Sequence, residues 1–140
     1  MRRLAAPLAG LLLAACASAP EPDVPAPVAA CHALFDGDAE LAQELAGSGA
    51  GTGELCTCFA SEYAAQDADG QSDMLALVET LVDVRAAKGF NSVEETVELM
   101  EEDRDGAEFG FPEDRFKATG EVIEEAILRA MRDPAGCAAP

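Results

Sequence analysis

The chain has 140 residues with 27 acidic against nine basic side chains, a net charge of −18, six phenylalanines, one tyrosine and no tryptophan. Clustered Lys and Arg of the kind that neutralise phosphates are missing, which excludes a nucleic-acid face and any electrostatic pull toward anionic lipid headgroups. The acids are spread along every segment, the pattern of a solvated surface that keeps a small domain in solution.

The chain begins with a cationic pair, Arg2 and Arg3, then a short apolar run from Leu4 to Leu13 and a small-residue exit at Ala14 and Ala15. That is the anatomy of an export signal. Interrupted by Pro7 and Gly10, the run falls short of the roughly 20 apolar residues that a permanent membrane-spanning helix needs. The exit Leu13-Ala14-Ala15-Cys16 resembles the lipobox of bacterial lipoproteins. The resemblance covers the leader alone. It implies cleavage after Ala15, a diacylglycerol thioether on Cys16 and acylation of the new amino group. Membrane lipid would then be a partner, since two or three palmitate-class chains, at about 0.8 kcal/mol per buried CH₂, hold a protein on a bilayer durably. In such lipoproteins an aspartate after the cysteine favours retention at the inner membrane. Ala17 stands there instead, so the resemblance leans toward the outer membrane and a periplasm-facing domain. The alternatives are an ordinary secretory signal cut after Ala17-Ser18-Ala19, which discards Cys16, and a twin-arginine route, for which the extended motif is missing.

Three units follow: a signal over residues 1–15, a lipidated cysteine with a Pro-rich tether over 16–30, and an acidic helical domain over 31–140. Pro20, Pro22, Pro25 and Pro27 among small residues favour extended backbone in the tether. With the two leader arginines gone, the mature charge is about −20.

Helical periods and stop signals run through the domain without an alternating β-type stretch, so the expected fold is all-α, a small bundle of about five short helices. The first, about His32 to Ala46, sets Leu34, Phe35, Leu41 and Leu45 near one side, and Asp36-Gly37-Asp38 can split it. It ends in a Gly-rich stretch over 47–53, expected to be a flexible linker. The second, about Gly53 to Gln66 with Thr52 as cap, aligns Leu55, Phe59 and Tyr63 as a core stripe. The third, about Asp73 to Lys88 between Ser72 and Gly89, is the most apolar and the expected central helix. The fourth, about Val93 to Asp105, opens with the capping-box pattern Ser92-Val93-Glu94-Glu95. It carries few apolar residues, so it belongs at the edge. After a turn plugged by Phe109 and Phe111, the fifth starts at Pro112 and buries Phe116, Val122, Ile123, Ile127, Leu128 and Met131, with Gly120 as a weak point.

Four further cysteines, Cys31, Cys56, Cys58 and Cys137, carry the strongest chemical signal. An even count in an exported small domain points to two disulfides. Cys56 and Cys58 lie about 200° apart around a helix and do not bond each other, so each takes one of the flanking cysteines. Cys31 with Cys58 and Cys56 with Cys137 is the preferred pairing, the swapped one standing close behind. The competing reading is a metal site for Cu(I) or Zn(II) built from Cys31, His32, Cys56 and Cys58, with Cys137 as a further ligand. Its spacing matches no usual zinc pattern, and no Cys-x-x-Cys redox motif occurs.

Two acidic fragments, Asp67 to Asp73 and Asp103 to Gly106, look like calcium loops but fail the count. Gly70 and Gly106 as loop position 6 place Ala76 and Pro112 where the bidentate carboxylate belongs. Nor is there a nucleophile elbow, a zinc-hydrolase histidine pair or a lysine-bearing phosphate loop. Glu94 with Glu98 and Glu121 with Glu125 sit one turn apart, but on helix faces expected to be wet, not in a buried site suited to general-acid work. The chain is thus expected to have no catalytic residues and no cofactor. The leading expectation is a lipid-anchored envelope module that binds another protein or an apolar ligand, with the grooves beside the fourth helix as candidates. A metal-handling protein and a purely structural surface lipoprotein without a pocket are the alternatives.

Overall fold

The computed structural model describes residues 24–137, so Cys16, the leader and most of the tether lie outside the described residues. Six α-helices make up this region, with no strand among the described residues: α1 (Ala26–Phe35), α2 (Ala39–Gly47), α3 (Thr52–Ala65), α4 (Ala68–Lys88), α5 (Val93–Glu101) and α6 (Glu113–Arg132). The all-α expectation holds, with six helices in place of about five. The sixth arises because the expected first helix divides at Asp36 to Asp38, where Gly37 adopts φ 83° and Asp38 restarts the chain as an N-cap accepting from the Leu41 amide.

Six local expectations are corrected. Two concern single residues: Thr52 lies inside α3, whose N-cap is Gly51, and Leu128 on α6 is exposed instead of buried. Helix α1 begins at Ala26, so the last five residues assigned to the tether are helical and Val28 and Ala30 pack on the core. Pro27 is compatible with this because it falls in the first turn, where its missing N–H leaves no intrahelical bond unmade. The stretch over 47–53 is not a linker: Gly47 ends α2, Thr52 and Gly53 open α3, and residues 48–51 between them form a hydrogen-bonded corner. The Ala50 amide reaches back to the Leu45 carbonyl at 2.9 Å across Gly49 at φ 81°, and Glu54 accepts from the Gly51 amide at 3.0 Å to open α3. Helix α4 starts at Ala68, capped by Asp67, whose carboxylate takes the Gly70 amide at 2.9 Å; Ser72 lies inside it. Helix α5 ends at Glu101, where Asp103 turns the chain by accepting from the Glu108 and Phe109 amides at 3.0 and 2.8 Å.

Helix α3 lies between α1 and α6, and α4 packs across α1, α3, α5 and α6. The core they enclose holds Leu34, Leu45, Leu55, Phe59, Met74, Leu77 and Val78, each at most 1% exposed. Tyr63, the third member of the α3 stripe, is half-buried against this core.

Both disulfides run from α3. Cys31 pairs with Cys56 at a Cα separation of 5.4 Å and Cys58 with Cys137 at 4.7 Å, the reverse of the preferred pairing. The reason is which neighbour each face of α3 meets. The Cys56 face turns to α1, which carries Cys31, and the opposite face turns to α6 and the turn that follows it, where Cys137 sits. All four are at most 2% exposed. Closing loops of 25 and 79 residues, the bridges contribute about 3.5 and about 4.5 kcal/mol by loop-closure entropy.

Helix α5 is the edge element expected of it, with only Thr96 and Met100 buried. Its N-terminus is fixed by polar contacts. Asp38, 4% exposed, gives one carboxylate oxygen to the α2 cap and the other to the Val93 amide at 2.8 Å. Arg85 donates to the Leu34 carbonyl at 2.7 Å and the Asn91 carbonyl at 2.8 Å, joining the end of α1 to the turn before α5. The Ser92–Glu95 capping box completes the arrangement, with the Glu95 amide donating to Ser92 Oγ at 3.2 Å.

Candidate functional site: an apolar groove between α5 and α6

Helix α5 packs on α4 but makes little direct contact with α6, because the turn over 102–112 holds their ends apart. Phe111 is the buried plug of that turn, and the Arg115 guanidinium lies 4.4 Å from its ring centre. Gly106, at φ 69°, is required there: a Cβ would come within 2.5 Å of the Pro112 nitrogen. The separation leaves a groove of about 440 Å³, within the roughly 300–1,000 Å³ range of ligand sites.

Leu34 and Phe35 of α1 and Leu77 and Leu81 of α4 form the floor, Val93 and Val97 of α5 one wall, and Phe116, Gly120 and Ile123 of α6 the other. Glu101, Lys117, Glu121 and Glu124 stand at the rim and are exposed. Lys117 pairs with Glu113 one turn back, whereas Glu101, Glu121 and Glu124 have no basic partner within 4.0 Å among the described residues. The Lys117 ammonium, hydrogen-bonded to Glu113, holds that carboxyl below the usual glutamate range.

A second hollow, between α2 and α5, is lined by Asp38, Glu40, Glu94, Glu95 and Glu98. Two of these carboxylates, Asp38 and Glu95, are already engaged by backbone amides. The acidic fragments tested as calcium loops have the same explanation: Asp67 caps α4 and Asp103 braces a turn. Among the described residues no group of three or more His, Cys, Asp or Glu is placed to hold a metal ion.

The donors of the metal alternative are not assembled. Cys31 is bonded to Cys56, Cys58 to Cys137, and His32 Nδ1 pairs with Asp36 at 3.1 Å, its side chain 39% exposed. Bonded this way the sulfurs offer no thiolate to a soft cation. Glu94, Glu98, Glu121 and Glu125 are all exposed, as expected.

Several groove residues escaped the sequence reading: Glu101, Lys117, Glu124 and the role of Gly120. A signal existed in α5, where Val93 and Val97 form an i, i+4 pair on a helix with four glutamates, and both remain only half-buried. Gly120 was legible as an anomaly inside a helix but not as part of a wall.

The fold and groove define the class as a disulfide-bridged all-α domain with an open apolar cleft. The chain matches no protein-family model, no curated protein and no solved structure. Among the described residues, no helix is long and apolar enough to cross a membrane.

Proposed function

We propose that this chain is a lipid-anchored protein of the bacterial envelope, held to the membrane through acylated Cys16, whose helical domain works by binding in the α5–α6 groove and not by catalysis. The observation that carries the binding half is the groove itself: apolar floor and walls that no side chain of the described residues fills. The anchoring half rests on the Leu13-Ala14-Ala15-Cys16 leader, and two fully buried disulfides fit a domain matured in an oxidising compartment. Ala17 after the cysteine favours the outer membrane, with the domain facing the periplasm.

Each half has its own test. Intact mass spectrometry of the membrane-extracted protein, before and after reduction and alkylation, should give an acylated Cys16 N-terminus and four thiols that react only after reduction. An unmodified N-terminus beyond Cys16 would remove the anchor. For the groove, titration with the neutral apolar dye Nile red should shift methyl resonances of Leu77, Leu81, Val97 and Ile123 and leave those of Leu45 and Leu55 in place. Shifts scattered over the surface, or none, would sink the binding site.

A further inference from the structure

We propose that the occupant of the groove is an amphipathic helix of a partner protein, with apolar anchors on one face and Lys or Arg along both flanks. This rests on the groove being a binding site and goes on to name what it binds. Charge is the first argument. The rim acids stand on both walls, Glu101 on α5 and Glu121 with Glu124 on α6, while the one rim cation among the described residues, Lys117, is engaged by Glu113. An anionic amphiphile such as a fatty acid would bring its carboxylate into that field and be repelled. Acids on both sides call for cations on both flanks of the occupant, which a helix supplies and a single-headed amphiphile does not.

Gly120 is the second argument. It lies inside α6 with no positive φ, and a Cβ built on it would meet nothing within 4 Å. Neither backbone conformation nor packing among the described residues therefore calls for glycine, although glycine weakens a helix interior. What its missing side chain does provide is space in the groove wall, where another backbone can approach closely. The α6 wall from Phe116 to Glu124 runs about 12 Å at 1.5 Å per residue, the length of about two turns of a docked helix. Apolar residues at i, i+3 or i+4 and i+7 would fill it.

The test uses the full mature chain with its disulfides formed and Cys16→Ser, so that no detergent competes. Two labelled helical peptides share one Leu-rich face, one flanked by lysines and the other by glutamates, and binding is read by fluorescence anisotropy. The lysine peptide should bind at least about tenfold more tightly at about 0.1 M salt, with the gap closing toward about 1 M. Gly120→Leu, which fills the wall, should weaken it by about tenfold or more. Glu101→Gln with Glu121→Gln and Glu124→Gln should erase the preference between the peptides.

Equal binding of the two peptides would overturn the proposal, as would lysine-peptide binding unchanged by Gly120→Leu, which would mark general attraction to an acidic surface. If neither peptide binds but Nile red still shifts the groove methyls, the helix is wrong and the groove stands. Failure of both probes would remove the groove reading as well.

Discussion

The two sides of this small domain are held by different physics. On one side α3 lies between α1 and α6, with a disulfide reaching from each of its faces and Phe59 and Leu55 wholly buried beside them. On the other side α5 rests on α4 with two buried side chains, and its position depends on Asp38, Arg85 and a capping box at its N-terminus. Covalent closure raises the free energy of the unfolded chain, whereas caps and a single guanidinium act only while local structure persists. The groove therefore has one wall, α6, whose C-terminal turn is bonded to α3 through Cys137, and another, α5, held by polar contacts at its N-terminus.

The largest effects should come from the bridges. Removing the longer loop through Cys58→Ala with Cys137→Ala should cost about 4.5 kcal/mol, against about 3.5 for Cys31→Ala with Cys56→Ala, read by urea unfolding. Reversal of that order would mean that local packing around the α1–α3 bridge matters more than loop length. Asp38→Ala should cost less, about 2 kcal/mol, because it removes acceptors from the caps of both α2 and α5. Hydrogen exchange should then quicken in residues 93–101 while α3 stays protected. Uniform loss of protection would refute the division into two regions.

That division was only half legible in the sequence. The stripe Leu55, Phe59 and Tyr63, the paucity of apolar residues in α5, the Ser92 box and the need for Cys56 and Cys58 to take separate partners all follow from helical periodicity, which is local. The pairing of the cysteines does not, because it depends on whether α1 or the end of α6 meets a given face of α3, a tertiary choice. Asp38 and Arg85 are of the same kind: each joins residues more than fifty positions apart, Asp38 to Val93 and Arg85 to Leu34. No spacing rule reaches that far. The groove was anticipated only as a place beside an under-filled helix. Its other wall and its rim required knowing that the turn over 102–112 keeps α6 away from α5.

Acid should separate the regions more gently. Hydrogen bonding to the Arg115 guanidinium holds the Asp73 carboxyl below its ordinary range, tying α4 to α6, and Lys117 does the same for Glu113. A carboxyl depressed in the folded state contributes stability above its unfolded pKa. That contribution is lost as pH falls from the ordinary values of 3.8 for Asp73 and 4.5 for Glu113 through the lower folded ones. Stability should therefore decline below about pH 4.5, more shallowly in Arg115→Gln, where the Asp73 part is already gone. Both carboxylates are solvent-screened, so the slope should be small and weaken with added salt. An identical acid slope in Arg115→Gln would show that the pair contributes nothing.

The smallest change is the most informative about the groove. If Gly120 served the fold, replacing it would destabilise the protein, yet its Cβ position is open and its backbone is ordinary helix. Gly120→Ala should therefore stabilise the unliganded chain by up to about 1 kcal/mol, a rise of a few degrees in Tm. The added methyl projects into the space that a docked helix would occupy, so affinity for the lysine-flanked peptide should fall as stability rises. Opposite signs in one substitution are hard to produce through damage to the fold, because damage lowers both. A lower Tm would instead return Gly120 to the packing of α6, and a higher Tm with unchanged affinity would place the partner's backbone elsewhere along the groove.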